Sequence, residues 1–260
     1  MSKQALLEFA KSLREAERTR KAIGPLTEKN PALSIEDAYT IQMLNVEDRL
    51  KNGGKIIGKK VGLTSKAMQD FLGVNAPDFG HLFADMTYEE DVPLAVKSFM
   101  QPKIEAELAF VLGEDLKGPG VTISDVLRAS AGVMASFEVI DSRVADWKIK
   151  IQDTIADNGS SAGLVLGAEL YPVSRCNLKY VGLVLEQNGR IIDTAAGAAV
   201  LGHPASSVAW LANTLGANGI ALHKGEIILA GSFTKAYPVK AGDTFSAHFG
   251  GLGSVKINFS

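Results

Sequence analysis

The chain has 260 residues, 46% hydrophobic and 22% charged, with a formal net charge of −2. That balance belongs to a globular chain of one large or two small domains, and it excludes a disordered tail, a collagen-like chain and a membrane bundle. A near-neutral total also lacks the basic surplus on which nucleic-acid binding rests, although it hides an asymmetry: 13 basic and 8 acidic side chains precede residue 67, and 14 basic and 21 acidic follow.

The single cysteine, Cys176, rules out an intrachain disulfide and any C-x-x-C motif. The first residues, MSKQALLEFAK, become charged too soon for a signal peptide, and no apolar run approaches a transmembrane span. A cytoplasmic protein is therefore expected, without nucleic acid or membrane as a partner. The four histidines, His81, His203, His223 and His248, show no metal-ligand spacing.

In chain order, residues 3–21 read as an amphipathic helix with Leu6, Phe9, Leu13 and Ala16 on one stripe. Ser34 followed by Asp37 predicts a capping box opening a second helix. Its apolar positions are Ile35, Tyr39, Met43, Val46 and Leu50, and Asn52-Gly53-Gly54 ends it. Beyond residue 54 short β-rich runs take over: 56–63, 104–112, 137–140, 164–166, 180–186, 227–230 and 254–259. Turn signals such as Asn188-Gly189 and Ala241-Gly242-Asp243 separate many of them. Two further helices are predicted, near 124–134 and over 204–215, the second opened by Pro204 and stopped by Gly216. The expected organisation is α+β: an N-terminal helical segment, 1–54, and a mixed, mainly-β unit, 55–260, together expected to form one compact unit.

Two motifs fail on context. Gly159-Ser160-Ser161-Ala162-Gly163 matches a nucleophile elbow, which needs a strand before it and a helix after it, but Leu164-Val165-Leu166 reads as a strand. Gly250-Gly251-Leu252-Gly253 lacks the lysine and helix of a P-loop and reads as a hairpin turn.

Gln101-Pro102-Lys103-Ile104-Glu105-Ala106-Glu107-Leu108 is more informative. On a strand, Glu105 and Glu107 share a face, opposite Ile104, Ala106 and Leu108. Two such carboxylates repel unless a positive charge sits between them, and a hard divalent cation, Mg²⁺ or Mn²⁺, meets that need. Glu138 is a third acid inside an apolar run, costly if buried alone. Three carboxylates on an octahedral ion leave positions for a 2-oxo acid, whose carbonyl the ion would polarise. The same spacing also fits a solvent-facing strand with a lysine-paired Glu138. Lys59 and Lys60 face opposite sides of a strand, so one is expected in solvent and the other inward. An inward lysine beside a cation would have a lowered pKa suited to proton transfer. Asp78, in Ala76-Pro77-Asp78-Phe79-Gly80, fits a turn former as well as a base.

At these residues the chain resembles the 2-hydroxypenta-2,4-dienoate hydratase and 4-oxalocrotonate decarboxylase family of aromatic meta-cleavage pathways, within the fumarylacetoacetase superfamily. The likeness rests on GKKVGLTSKAMQ from Gly58, APDFG from Ala76, QPKIEAELAFVL from Gln101 and FEVIDSR from Phe137. DWKIKIQDTIADN from Asp146 and GAAVLGHPASSVAWLANTLG from Gly197 extend it nearly end to end.

The resemblance implies a fumarylacetoacetase-type β-roll, Glu105, Glu107 and Glu138 as metal ligands, Lys60 as the inward lysine and Asp78 in the substrate pocket. It places Ser160 near the substrate, and Lys235, in Gly231-Ser232-Phe233-Thr234-Lys235, where a second carboxylate would lie. It also implies a homo-oligomer, pentamer or decamer, and association with a sibling decarboxylase or hydratase. The implied chemistry is hydration: a 2-hydroxy-2,4-dienoate ketonises to the 2-oxo-3-enoate, takes water at C4 and a proton at C3, and leaves as a 4-hydroxy-2-oxo acid. Decarboxylation of 2-oxo-3-hexenedioate at a similar site is the alternative, and a silent partner subunit a further one. Gly159 stands where relatives usually carry alanine and Ala196 where they often carry glycine, both expected near pocket loops.

Overall fold

The computed structural model describes residues 1–65, 69–70 and 73–260. Lys66, Ala67 and Met68 of the GKKVGLTSKAMQ segment lie outside the described residues, as do Phe71 and Leu72.

Helix α1 (Lys3–Thr19) is capped by the Ser2 hydroxyl, which accepts from the Ala5 amide, and buries Leu6, Ala10, Leu13 and Ala16. A single turn, α2 (Leu26–Lys29), leads to α3 (Ile35–Lys51). The Ser34 hydroxyl caps α3 by accepting from the Asp37 amide. The Asp37 carboxylate binds the Met1 ammonium instead, at 3.0 and 3.1 Å, so only half of the expected capping box forms. The buried stripe of α3 is also rotated from the expected one. Ala38, Ile41, Gln42 and Val46 are inside, while Ile35, Met43 and Leu50 are exposed. Gln42 explains the rotation: its buried amide donates to the Phe79 carbonyl at 3.0 Å and to the Ile155 carbonyl at 2.8 Å. A polar residue that cross-links two elements outweighs the pull of exposed apolar neighbours.

Among the described residues, the rest of the chain builds two sheets. Its strands are β1 (Ile56–Gly62), β2 (Asp78–Phe83), β3 (Thr87–Tyr88), β4 (Lys103–Leu112), β5 (Ser130–Ile140), β6 (Ser161–Leu166), β7 (Gly182–Gln187), β8 (Arg190–Ala196), β9 (Ile227–Leu229), β10 (Tyr237–Pro238), β11 (Thr244–Phe249) and β12 (Ser254–Asn258). Among the described residues, helices α4 (Ile123–Ala129), α5 (Ile151–Ala156) and α6 (Pro204–Gly216) stand between these strands. The larger sheet runs β2-β1-β9-β4-β5-β6-β3, with β10 added to β4, and the smaller runs β12-β11-β7-β8. β1 lies parallel to β9 and β3 to β6, and the other pairs are antiparallel, so the sheet is mixed. No helix among the described residues is long and apolar enough to cross a membrane.

The elements differ from the sequence reading in three respects. The helix expected near 124–134 stops at Ala129, and residues 130–134 extend β5, because β4 offers partners from Ser130 through Ile140. Asp78 opens a fully buried strand rather than a turn, since β1 supplies a register partner for each residue from Asp78 through Leu82. α5, β8 and β11 are absent from the sequence reading: α5 is short, β8 shows no clean period, and the turn signal Ala241-Gly242-Asp243 masked the start of β11. The Asn188-Gly189 turn, with φ of 54° and 75°, joins β7 to β8 as expected of such a pair.

β4 and β5 are covered on both faces, so their sequences are nearly continuous apolar runs. One face, with Ile104, Leu108, Phe110 and Phe137, packs against Leu183, Leu185, Phe245 and Ile257 of the smaller sheet and Val208 and Leu211 of α6. On the other face Ala109, Leu164 and Leu229 are sealed by Val46, Phe83 and Met86. The polar exceptions on these two strands lie farther along that second face.

Candidate metal centre

Glu105 and Glu107 project from β4 by the two-residue period of the strand, and antiparallel pairing sets Glu138 of β5 directly opposite Glu105. Like charges opposite one another on a sheet are destabilising, yet here three converge. Glu105, Glu107 and Glu138 each offer an oxygen within 4.8 Å of the others. Glu138 is 0% exposed and Glu107 1%, while Glu105 is half-buried. Neither oxygen of Glu138 accepts a hydrogen bond. Two unsatisfied oxygens on a buried carboxylate, beside two more carboxylates, form the all-oxygen donor set that a hard divalent cation takes.

Lys60 reaches this cluster through β9. Parallel pairing sets Lys60 opposite Leu229, and antiparallel pairing sets Leu229 opposite Ala109, which shares its face with Glu105 and Glu107. The ammonium ends 3.5 Å from Glu138 Oε2 and donates to the Gly159 carbonyl at 3.1 Å. Lys59 faces the other way but is not in solvent: it is 5% exposed and bonds both oxygens of Glu226, at 2.7 and 2.9 Å. The expectation of one solvated lysine fails because the sheet is covered on both sides.

Burial pushes all three carboxyls upward. Glu138 rises to about 8, opposed by Lys60 and reinforced by Glu105. Glu107 stands well above the ordinary carboxylate range through burial and then repulsion from Glu138 and Glu105. Glu105 rises through burial, with Lys60 opposing and Asp78 reinforcing. For Lys60, burial disfavours the charge, but Glu138, Asp78, Glu105 and Glu107 together outweigh it and hold the pKa above the ordinary lysine value. That reverses the lowered pKa expected of an inward lysine, whose argument supposed a cation already neutralising the acids.

Asp78 is buried beside Lys60, its carboxyl raised by burial against the opposing pull of Lys60. Gly62 is its register partner. A Cβ on Gly62 would stand 2.1 Å from Asp78 Oδ1 and 3.1 Å from Lys60 Nζ, so only glycine admits the pair. Ser160 is 2% exposed, with its hydroxyl donating to Asp157 Oδ2 at 3.3 Å. These groups line a cavity of about 280 Å³, whose lining also includes Trp147, Ile149, Thr234 and Lys235. Lys235 is exposed, its Nζ 5.1 Å from the Tyr237 ring centroid. Ala196, exposed at the end of β8, does not line the cavity, contrary to expectation.

Several contributors were missed in the sequence. Lys103 lines the cavity with its ammonium 4.1 Å from the Trp147 ring centroid. It shares the parity of Glu105, so the strand period alone could have found it. Trp147, anchored by Nε1 donating to the Gln101 carbonyl at 3.1 Å, carried no such signal. Gly231 donates its amide to Glu107 Oε2 at 2.7 Å from a φ of 106°. A Cβ there would fall 2.2 Å from Thr64 Oγ1. Gly231→Ala is therefore expected to cost about 1–3 kcal/mol of stability and to withdraw the amide from Glu107. Urea melts would show it, and an unchanged midpoint would speak against this geometry.

Residues 158–160 form a turn in which Asn158, Gly159 and Ser160 all have positive φ, of 56°, 63° and 55°. For the two non-glycine residues this costs about 1–2 kcal/mol each. The turn aims the Gly159 carbonyl at Lys60. A larger cavity, of about 600 Å³, lies between α1, α3 and the sheet. Its acids and bases balance one another, and none of the three glutamates or Lys60 opens into it.

Residues 54–259 match the family described as fumarylacetoacetate (FAA) hydrolase C-terminal. The chain is 44% identical over 260 residues to a 2-hydroxyhexa-2,4-dienoate hydratase of Comamonas testosteroni, covering 99% of this chain and 98% of that protein. It is 43% identical over 261 residues to a 2-keto-4-pentenoate hydratase of Paraburkholderia xenovorans, covering 100% and 96%. Among solved structures it is similar to a 4-oxalocrotonate decarboxylase from Pseudomonas putida G7 complexed with magnesium and adipate. That likeness has a TM-score of 0.97 and 36% identity, covering 100% of this chain and 99% of the other.

Proposed function

Because this chain belongs to the fumarylacetoacetate (FAA) hydrolase family, we propose that it is a metal-dependent hydro-lyase of aromatic meta-cleavage catabolism. It adds water to a 2-hydroxy-2,4-dienoate, through the 2-oxo-3-enoate tautomer, and releases a 4-hydroxy-2-oxo acid. The observation that carries this reading is the convergence of Glu105, Glu107 and Glu138 to within 4.8 Å beside the Lys60 ammonium, with Glu105, Glu107 and Lys60 on the wall of a small cavity. Full-length likeness to hydratases of 2-hydroxydienoates and 2-keto-enoates supports the substrate class.

The three glutamates would hold Mg²⁺ or Mn²⁺. Bound there, the ion supplies a Lewis acid for the carboxylate and 2-oxo oxygens of the substrate. The remaining work belongs to the chain. Lys60, fixed by the Gly159 carbonyl, holds positive charge where the substrate becomes enolate-like and carries a proton to or from carbon. Asp78, buried beside it with a raised carboxyl pKa, relays that proton or orients the attacking water. Ser160 presents a hydroxyl to the substrate. Trp147 shields the cavity from bulk water. Lys235 and Lys103, which both line the cavity, suit a substrate with a second carboxylate.

The decarboxylase reading stays in play on one observation, the likeness at 36% identity to the magnesium- and adipate-bound decarboxylase. One assay separates the two. With Mg²⁺ or Mn²⁺ the protein should remove the diene absorbance of 2-hydroxypenta-2,4-dienoate and release no CO₂ from 2-oxo-3-hexenedioate. CO₂ release without hydration overturns the hydratase reading, and turnover of neither favours a silent partner subunit. A homo-oligomer, pentamer or decamer, belongs to the same proposal and is read by analytical ultracentrifugation, alone and with a sibling enzyme.

Metal and protons should compete. Glu138 has a folded pKa of about 8, above its unfolded value, so the stability its protonated form contributes is complete below about 4.5 and lost as pH rises through 8. The metal-free protein should accordingly lose thermal stability between pH 5 and 8 from this group. Added Mn²⁺ should raise the melting temperature more at pH 8 than at pH 6, because ligands must deprotonate to bind. An equal rise at both values would count against the cluster as the binding site.

A further inference from the structure

Arg143 and Asp157 are buried and bound to each other, and neither touches the cavity that holds Lys60. Arg143 Nε and its backbone amide both donate to the Asp157 carboxylate. Its guanidinium also donates to the Asp157 carbonyl and, at 3.1 Å, to the Ser161 carbonyl. Those two carbonyls are the ends of the left-handed turn 158–160. The Asp157 carboxylate in turn accepts from the Ser142 and Ser160 hydroxyls, each at 3.3 Å. One guanidinium therefore grips both ends of the turn, and one carboxylate grips its last residue.

The turn's output is directed across the wall between two cavities. Asp157, Asn158 and Ser161 line the larger one, as does Arg143, whereas Gly159 and Ser160 line the site. From the turn, the Gly159 carbonyl accepts the Lys60 ammonium at 3.1 Å. Asn158 clasps β2 through both ends of its amide, accepting from His81 N at 2.8 Å and donating to the His81 carbonyl at 2.9 Å. Three successive residues in the left-handed region persist only where the surroundings over-determine them, and here Arg143 and Asp157 hold the turn from one side while the Asn158 clasp on β2 holds it from the other.

We propose that the Arg143–Asp157 pair is the positioning device for Lys60: it holds the left-handed turn whose Gly159 carbonyl sets the ammonium between Glu138 and Asp78. Lysine at 143 keeps the charge, but its single nitrogen cannot span the Asp157 carboxylate and the separate carbonyls of Asp141, Asp157 and Ser161 at once. The pair acts on chemistry without touching substrate or metal, and it rests on the hydratase reading only for the reaction in which its effect is measured.

The test uses Arg143→Lys and Arg143→Ala with 2-hydroxypenta-2,4-dienoate and Mn²⁺. Turnover number should fall about 100-fold, the scale of a displaced catalytic group, with substrate KM and calorimetric Mn²⁺ affinity unchanged. Guanidinium ion at non-denaturing concentration should restore part of the turnover of Arg143→Ala, since the vacated space adjoins the larger cavity. In the crystal structure of Arg143→Lys, Lys60 Nζ should have left the Gly159 carbonyl while the three glutamates stay. Wild-type turnover, or a turnover loss that tracks Mn²⁺ affinity and folded fraction, overturns the proposal. If the Arg143 variants do not fold, Ser142→Ala removes one bond to Asp157 and should give a smaller loss of turnover at unchanged KM; no loss overturns it. If the natural protein hydrates no dienoate, the hydratase reading fails by itself, and the crystal structure decides the positioning claim: Lys60 still on Gly159 refutes it.

Discussion

Glu107→Gln is expected to abolish turnover and to weaken Mn²⁺ binding beyond the roughly 10–100-fold typical of losing a supporting contact, with the fold intact. Glutamine is nearly isosteric and can still accept the Gly231 amide, which bonds Glu107 Oε2 at 2.7 Å. It also imitates the protonated form that burial and the repulsion of Glu138 and Glu105 favour in the metal-free protein. The natural Glu107 has a folded pKa above its unfolded one, so its contribution to stability is complete at low pH and lost as pH rises through the folded value. Glutamine has no proton to lose. The melting temperature of the metal-free variant should therefore exceed that of the natural protein by a margin that grows from pH 6 to 9. Calorimetric titration with Mn²⁺ and melting curves across that range check both halves. Full activity in the variant would sink the three-carboxylate site.

Lys60→Met should show the opposite split. Loss of a proton-transfer group costs about 10²–10⁴-fold in turnover. Yet the cation 3.5 Å from Glu138 is gone, and with it a charge that competes for the carboxylates, so Mn²⁺ should bind at least as tightly as before. The metal-free variant should take up an additional proton near neutral pH. Lys60 opposes the upward push of burial on Glu105, Glu107 and Glu138, and without it their pKa values climb further. Calorimetry in two buffers of different ionisation enthalpy measures this as more protons released on Mn²⁺ binding. Weaker metal binding in Lys60→Met would mean that the ammonium supports the ligands structurally.

The two variants divide the site by function. Its acids stand on β4 and β5, strands buried on both faces, where a backbone ladder fixes the direction of each side chain. The proposed proton carrier, Lys60, stands on β1, which joins β4 in the sheet through the short strand β9. Rigidity is needed most where like charges must be held together without their counter-ion, and the doubly covered strands provide it.

Much of the chemistry was legible in the order of residues. The two-residue strand period places Glu105 and Glu107 on one face regardless of tertiary context, and Glu138 stands out because an acid inside an apolar run needs a partner. Pro204 and Gly216 bracket α6, and Asn188-Gly189 marks its hairpin, because those residues act on backbone dihedrals locally. Other features required the fold. Periodicity gives the parity of a strand but not its partner or register, so the placement of Glu138 opposite Glu105 came only from the β4–β5 ladder. Local pattern could not choose between helix and strand at 130–134, nor between turn and strand at Asp78, because the deciding hydrogen bonds come from segments distant in the chain. Lys59 and Lys60 looked alike, and the pairing of β1 with β9 gave one to Glu226 and the other to the carboxylate cluster. The grip of Arg143 on the turn that holds Lys60 joins residues 60, 143, 157 and 159, and only the folded chain brings them within hydrogen-bond reach.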